Sequence, residues 1–275
     1  MFKIHLKDTV LDLTTPIVMG ILNATPDSFF KGSRLETIDL GVQKAIEMVN
    51  SGAGILDIGG QSTRPGADII TEALEIERVV PMIEAIHAAL PQLPISIDTY
   101  HAGVAKAAIN AGALIVNDIS CGNFDSKMIA TVVANQVGYI GMHQTGGPGS
   151  MHEVVSRTKI METLNAYFLL KKSQFAETGL TQWIIDPGFG FSKTLEENFE
   201  LVKSLAQLKS LDLPILLGVS RKSSIYKTLG VDADSALNGT TVLNTIGLQA
   251  GANILRVHDV KEAREAIQLL EQMNT

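Results

Sequence analysis

The sequence predicts an α/β fold, a (β/α)8 barrel preceded by a short β-hairpin. Three observations carry that expectation: eight short runs that are apolar throughout, helix-like stretches between them, and no linker or shift of composition along 275 residues. Strands apolar on both faces and separated by helices indicate a covered parallel sheet. Eight of them favour closure over an open sheet. The length suits one such barrel, so residues 1–275 are read as one domain, with 2–15 as the hairpin and 16–275 as the barrel.

Residues 2–15 (FKIHLKDTVLDLTT) form the expected hairpin. The barrel strands are expected at Ile17–Leu22, Gly54–Ile58, Pro94–Ile97, Leu114–Val116, Gly138–Gly141, Trp183–Ile185, Ile215–Leu217 and Asn253–Leu255. Helical spacing of apolar residues marks Leu35–Asn50, Glu72–Ala89, Ala102–Asn110, Val155–Glu177, Leu195–Leu208, Ala236–Gln249 and Lys261–Gln272. Gly52 and Gly112 follow the first and third helices, where a left-handed residue commonly ends a helix. Thr71 can cap the second helix through its hydroxyl. Pro94 and Pro214 precede strands, where a missing N–H does little harm.

A net charge of −7 argues against non-specific nucleic-acid binding, which needs a basic surface. Basic residues gathered in one cleft could still hold an anionic small molecule. The apolar runs are strand-sized, well short of the roughly 20 residues of a membrane span. The N-terminus lacks a basic stretch leading into a long apolar segment, so no signal peptide is expected. Cys121 is the single cysteine, which excludes an intrachain disulfide and fits a reducing cytoplasm. The Asn-x-Thr matches at Asn23 and Asn238 are accordingly not read as glycosylation sites.

Polar residues stand where the apolar runs stop. They are Asn23, Gly59-Gly60 with Asp57 inside the strand, Asp98, Asn117-Asp118, Met142-His143, Asp186, Ser220 with Lys222, and Arg256 with His258. In a parallel barrel these ends share one face and surround one cavity. A lone polar residue at a strand end is ordinarily structural; the convergence of the whole set points to a site. Asp98, Asn117 and Asp186 offer acceptors and an amide, suited to a flat polar heterocycle bearing N–H groups. Arg256, His258, Arg64 and Thr63 are donors suited to phosphate or carboxylate oxygens. Asn23 could serve a phosphate or a hard cation, and magnesium commonly takes only one or two protein oxygens. Lys222 could serve either group as a point charge. The segments 24–34 and 60–70 are rich in turn-formers, and Phe29 and Phe30 in the first suit a lid over the ligand. No nucleophile elbow, dinucleotide fingerprint, Walker loop or zincin motif is present.

These stretches resemble the dihydropteroate synthase family. Met19-GILNATPDSF and Gly52-AGILDIGGQSTRPG are similar to its two signature segments. Ser96-IDT, Val116-NDIS, Ile185-DPGFGFSK, Gly218-VSRKS and Arg256-VHDV are similar to further blocks in the same order. The resemblance implies a TIM barrel and a magnesium-dependent transferase of folate biosynthesis. Such an enzyme joins 6-hydroxymethyl-7,8-dihydropterin diphosphate to 4-aminobenzoate and releases diphosphate. By resemblance, Asp98, Asn117, Asp186 and Lys222 hold the pterin, and Met142 packs on its ring. Thr63, Arg256 and His258 contact the diphosphate, and Asn23 binds Mg2+. Pro65, Phe191 and Ser220 line the aminobenzoate pocket, with Phe29 and Arg64 on the closing loops. Asp98, Lys222, Arg256 and His258 are the residues expected to carry the chemistry. A cytoplasmic homodimer that is a sulfonamide target is implied as well. A corrinoid-type pterin methyltransferase shares the barrel but has no diphosphate for the Ser220–Lys222 and Arg256–His258 groups to hold. A non-catalytic paralogue would have lost a charged member of the set, and none is lost. Gln61, Phe30-Lys31, residues 144–150, Ser224 and Tyr226 depart from the usual family pattern.

Overall fold

The chain opens with β1 (Lys3–Leu6) and β2 (Thr9–Asp12), an antiparallel pair in which Lys3 faces Asp12 and Leu6 faces Thr9. The structure, a computed structural model, describes residues 2–24, 34–61, 68–157 and 159–273. Eight further strands form a parallel sheet: β3 (Ile17–Asn23), β4 (Ala53–Gly59), β5 (Ile95–Asp98), β6 (Ile115–Asp118), β7 (Gly138–Met142), β8 (Ile184–Asp186), β9 (Leu216–Leu217) and β10 (Ile254–Val257). Their order is β8-β7-β6-β5-β4-β3-β10-β9, and a parallel bridge between Ile185 and Ile215 joins the two ends into a barrel. The expected (β/α)8 barrel with its N-terminal hairpin is therefore the fold.

Side chains alternate in and out along each strand, and the two faces have separate tasks. Met19, Ile55, Ile115, Ile140, Ile184, Leu216 and Ile254 point inward at one level and pack with Ile4, Leu6, Leu11 and Leu13 of the hairpin. The hairpin thus plugs the barrel floor with apolar side chains, which explains why β1 and β2 alternate buried with exposed residues. The outward residues Val18, Leu22, Leu56, Ile58, Val116, Tyr139, Ile185, Leu217 and Leu255 join the helices in one larger core.

Around the barrel lie α1 (Arg34–Asn50), α2 (Glu72–Ala89), α3 (Ala102–Asn110), α4 (Met128–Asn135), α5 (Ile160–Glu177), α6 (Leu195–Lys203), α7 (Ser223–Leu229), α8 (Leu237–Ala250) and α9 (Val260–Met273). Gly52 and Gly112 take φ of +104° and +118°, the left-handed endings expected of them. Thr71 Oγ1 accepts from Leu74 N at 3.3 Å, as its capping role requires. Two expectations shift. The helix expected from Val155 begins at Ile160, because Arg157 N donates to Glu197 Oε1 at 2.6 Å and keeps the segment before it out of the helix. The stretch expected to run to Leu208 stops at Lys203 and tightens into a 3-10 segment, Leu205–Leu211. The short helices α4 and α7 are additional; each spans only about two turns, too few for a periodic pattern to stand out.

Candidate active site

Two residues beyond the apolar floor, the same inward positions turn polar. The floor positions Ile55, Ile115, Ile184 and Ile254 are followed at i+2 by Asp57, Asn117, Asp186 and Arg256, and on β5 the inward Ser96, itself polar, is followed by Asp98. Strand periodicity alone therefore gathers three carboxylates, an amide and a guanidinium at one level of the barrel. Met142, inward from β7, supplies an apolar wall to this layer. It packs with Tyr100, Ile119, Met151 and Phe191.

Arg256 organises the layer. Its Nε donates to Asp57 Oδ2 and its Nη2 to Asp98 Oδ2, each at 2.6 Å. Asn117 Nδ2 donates to the same Asp57 oxygen at 2.9 Å. The donor and acceptor groups separated in the sequence thus interlock here: Arg256, expected at the diphosphate, is tied to two carboxylates. Among the described residues its Nη1 makes no hydrogen bond, which leaves that N–H pair for an oxyanion. Burial pushes the carboxyls of Asp98 and Asp186 above the ordinary range, against the pull of Arg256 on the first and of Lys222 on the second. For Arg256 burial works against the charge, and the carboxylates of Asp57 and Asp98 outweigh it.

Two polar groups face this layer from the loops. Lys222, directly before α7, donates through Nζ to Phe189 O, and its ammonium lies 4.6 Å from the centre of the Phe191 ring. Burial lowers Lys222 to about 8, with Asp186 opposing the shift. Ser220 Oγ accepts from His258 N at 3.1 Å and lies 2.9 Å from His258 Nδ1. With that backbone N–H on its lone pair, the hydroxyl can donate to Nδ1, which leaves the imidazole proton on Nε2. Arg221 holds the two loops together, with Nε and Nη2 donating to Asp259 at 2.9 and 2.6 Å. His258 is exposed at the mouth, close ahead of the N-terminus of α9, where partial positive charge favours an anion.

Asn23 ends β3 half-buried and in register with Gly59. Among the described residues, no group of three or more His, Cys, Asp or Glu side chains could hold a metal ion. Thr63, Arg64, Pro65 and Phe29, with Phe30 and Lys31, lie outside the described residues. The base of the second loop is described. Gln61 Nε2 donates to Asp68 O at 2.8 Å while its Oε1 accepts from Ile70 N at 2.9 Å. A glutamate, commoner here by the family pattern, could not make the first of these bonds when ionised. Arg78 Nη1 adds a bond to Gly60 O at 2.9 Å.

Several participants escaped the sequence reading. Asp57 was noted inside its strand without a role, although a carboxylate within the apolar run ILDIG is itself a signal. Arg157 carries no such mark, and Lys193 stands at the end of the Ile185-DPGFGFSK block with no role read for it. Arg157 binds Val155 O, Ser192 O and Thr145 Oγ1, stapling the β7–α5 loop to the β8–α6 loop.

A parallel barrel with buried carboxylates, an amide and cations converging on the carboxyl ends of its strands defines a class of enzyme that binds a flat polar heterocycle. Residues 19–258 match the family described as pterin binding enzyme. The chain is 38% identical over 271 residues to dihydropteroate synthase of Escherichia coli strain K12, covering 98% of this chain and 95% of that one. It is 41% identical over 247 residues to that of Synechocystis, covering 89% and 85%. Among solved structures, the Yersinia pestis dihydropteroate synthase with a sulfonamide drug complex superposes with a TM-score of 0.92 at 35% identity, covering 99% of both chains. The Xanthomonas albilineans enzyme with 4-aminobenzoic acid gives 0.91 at 32%, covering 100% and 99%. The chain belongs to the dihydropteroate synthase family, transferases of folate synthesis. Among the described residues no helix is long and apolar enough to cross a membrane.

Proposed function

We propose that the polar layer binds 6-hydroxymethyl-7,8-dihydropterin diphosphate and that the mouth above it admits 4-aminobenzoate, which displaces diphosphate to give 7,8-dihydropteroate. One observation carries this reading: Asp98, Asn117 and Asp186, on β5, β6 and β8, face inward at one level, with Met142 beside them. Carboxylates and an amide can pair the N–H groups of a pterin edge, and a buried carboxylate without such a partner costs several kcal/mol.

Cleavage of the carbon–oxygen bond develops positive charge on the pterin methylene and negative charge on the leaving diphosphate. Asp98 and Asp186 favour the first. The remaining N–H groups of Arg256, with His258 and Thr63, serve the second, with a gain that grows as charge accumulates. Lys222 holds the pterin from the loop side. Phe191, Ser220 and Pro65 form the aminobenzoate pocket, and Phe29 and Arg64 belong to the loops that close over it. The aromatic amine is a weak nucleophile, so it attacks late in, or after, bond breaking, and no covalent enzyme nucleophile is needed.

Asn23 is the residue that would hold magnesium. A half-buried amide with no metal-binding cluster around it among the described residues fits an ion that draws its other ligands from phosphate and water. When bound, the ion would neutralise charge on the diphosphate. The single buried cysteine supports a cytoplasmic protein. Exposed apolar side chains such as Val242 and Ile246 on α8 support a homodimer through the outer helices, which light scattering would test. The direct test is diphosphate release from the two substrates with magnesium. Folded protein that releases none above background sinks the reading, and Asp186→Ala should abolish tight pterin binding by calorimetry.

A further inference from the structure

Lys193 is a buried cation to which the chemistry above gives no task. Its side chain is 5% exposed. Nζ donates to Gly188 O at 2.8 Å, Phe191 O at 3.2 Å and His143 O at 3.3 Å, and lies 3.1 Å from His143 Nδ1. His143 must be neutral to accept there. Burial, then the Lys193 charge, pushes it down to about 2. No carboxylate oxygen of the described residues is bonded to this ammonium; it is satisfied by dipoles alone. Burying a charge is costly unless it is well paired, and a loop could be closed by an apolar side chain instead. Burial brings the Lys193 ammonium down to about 7, yet the loop keeps this polar amine with its N–H groups on carbonyls, and that arrangement calls for a use.

The loop 187–194 is wrapped round this ion. Gly188 and Gly190 take φ of +71° and +83°, and a Cβ at Gly188 would lie 2.0 Å from His143 O. The same short loop presents its other side to Lys222. Phe189 O accepts from Lys222 Nζ, the Phe191 ring lies under that ammonium, and a Cβ at Gly190 would come within 2.9 Å of Lys222 Cδ. Asp186 Oδ1, at the entrance to the loop, accepts from Gly188 N at 2.7 Å. One cation inside the loop fixes the surface on which a second cation rests outside it.

We infer that Lys193 is a positioning residue: by gathering the carbonyls of His143, Gly188 and Phe191 it sets the Phe191 ring and the Phe189 carbonyl that orient Lys222, and so governs affinity for the amine-bearing second substrate. This deepens the proposed reaction and rests on it. Asp186, Arg157, Lys222 and Glu197 are the charged groups around Lys193. None of them is bonded to its Nζ.

The test compares wild type with Lys193→Met, and with Lys193→Gln, which keeps two N–H donors and carries the same measurements if the methionine variant does not fold. In the folded variant, KM for 4-aminobenzoate should rise roughly tenfold for Met and about threefold for Gln through the Phe191 ring, and the pterin dissociation constant should rise severalfold through Lys222, with the melting temperature within a few degrees of wild type. In ligand-free protein, acylation of Lys222 followed by mass spectrometry should run several times faster than in wild type. An unchanged KM with unchanged Lys222 labelling overturns the inference. So does a loss of both affinities that only follows a fall in thermal stability, with Lys222 labelling unchanged in the folded fraction, the mark of a merely structural residue. Wild type that releases no diphosphate defeats the functional reading instead, and the labelling comparison then decides the positioning role by itself.

Discussion

Arg256 and Asp57 stand 199 positions apart in the chain and meet at 2.6 Å inside the barrel. Asp57 is fully buried, and one of its oxygens accepts from both Arg256 Nε and Asn117 Nδ2 while the other has no hydrogen-bond partner among the described residues. The pair joins β4 to β10 across β3, which lies between them in the sheet. A contact of this kind belongs to the site and to the fold together. It fixes the guanidinium in the polar layer and fastens strands from distant parts of the sequence.

Asp57→Asn should therefore destabilise the protein. The replacement keeps the shape but leaves Arg256 with one carboxylate instead of two, and it turns an amide toward existing donors. Removing one partner of a buried pair costs about 3 kcal/mol at the lower end of what such changes produce. Urea unfolding should show a lower midpoint with an unchanged slope. A midpoint equal to that of wild type would mean that the pair contributes nothing net.

Glu75 on α2 offers a test by pH. It is 1% exposed, and its Oε1 has no hydrogen-bond partner among the described residues. Burial raises its carboxyl from an ordinary 4.5 to about 7, with Thr99 opposing and Asp98 adding to the shift. A raised folded value means that the stabilising neutral form is fully present below 4.5 and is lost as pH climbs through about 7. Glu75→Gln removes that dependence. The variant should gain on wild type between about pH 5 and about pH 8, by up to about 3 kcal/mol. Melting curves at both ends of the window check it; a constant difference between the two proteins counts against the buried, proton-holding carboxyl.

How much of this was legible in the sequence depends on the distance over which each feature is decided. The inward set of Asp98, Asn117 and Asp186 could be read because strand ends and period-two alternation are local. Asp57 was visible but mute: its partner lies at the far end of the chain, and nothing near it in sequence names Arg256. For the same reason Arg256 was sorted with the phosphate donors by residue type, whereas packing sets it between carboxylates. Lys193 closes the Ile185-DPGFGFSK block, yet nothing in the sequence gives it a role, since its partners are backbone carbonyls, which every sequence has. The start of α5 was misplaced by five residues, from Val155 to Ile160, because Arg157 bonds to Glu197 on another helix.

Cys121 should behave as an inert thiol. It is fully buried at φ +52°, and burial pushes its thiol up to about 12. Reactivity belongs to the thiolate, so a thiol reagent should label the native protein slowly and the denatured protein at once. Cys121→Ala should leave kcat within about twofold and cost on the order of 1 kcal/mol for the vacated space. Rapid labelling of native protein would contradict this burial.

Lys222 should set the alkaline limit of activity. Its ammonium is held between Phe189 O, the Phe191 ring and the field of Asp186, and burial brings it down from 10.5 to about 8. For a depressed lysine, the stability contribution is present above 10.5 and lost as pH falls through about 8, so free protein bears a cost for keeping this group charged at neutral pH. An anionic, acceptor-bearing ligand relieves that cost. Hence kcat/KM for the pterin diphosphate should fall as pH rises beyond about 8. Lys193 also titrates low, brought to about 7 by burial, so a second group could produce an alkaline limb. Lys222→Arg separates them, because a guanidinium keeps its charge throughout the range. That variant should be slower at every pH, since a planar fork cannot reproduce the lysine's single bond to Phe189 O, but its profile should stay level to about pH 9.5. If the limb survives unchanged, Lys222 is not the group that titrates, and Lys193 becomes the one to replace next.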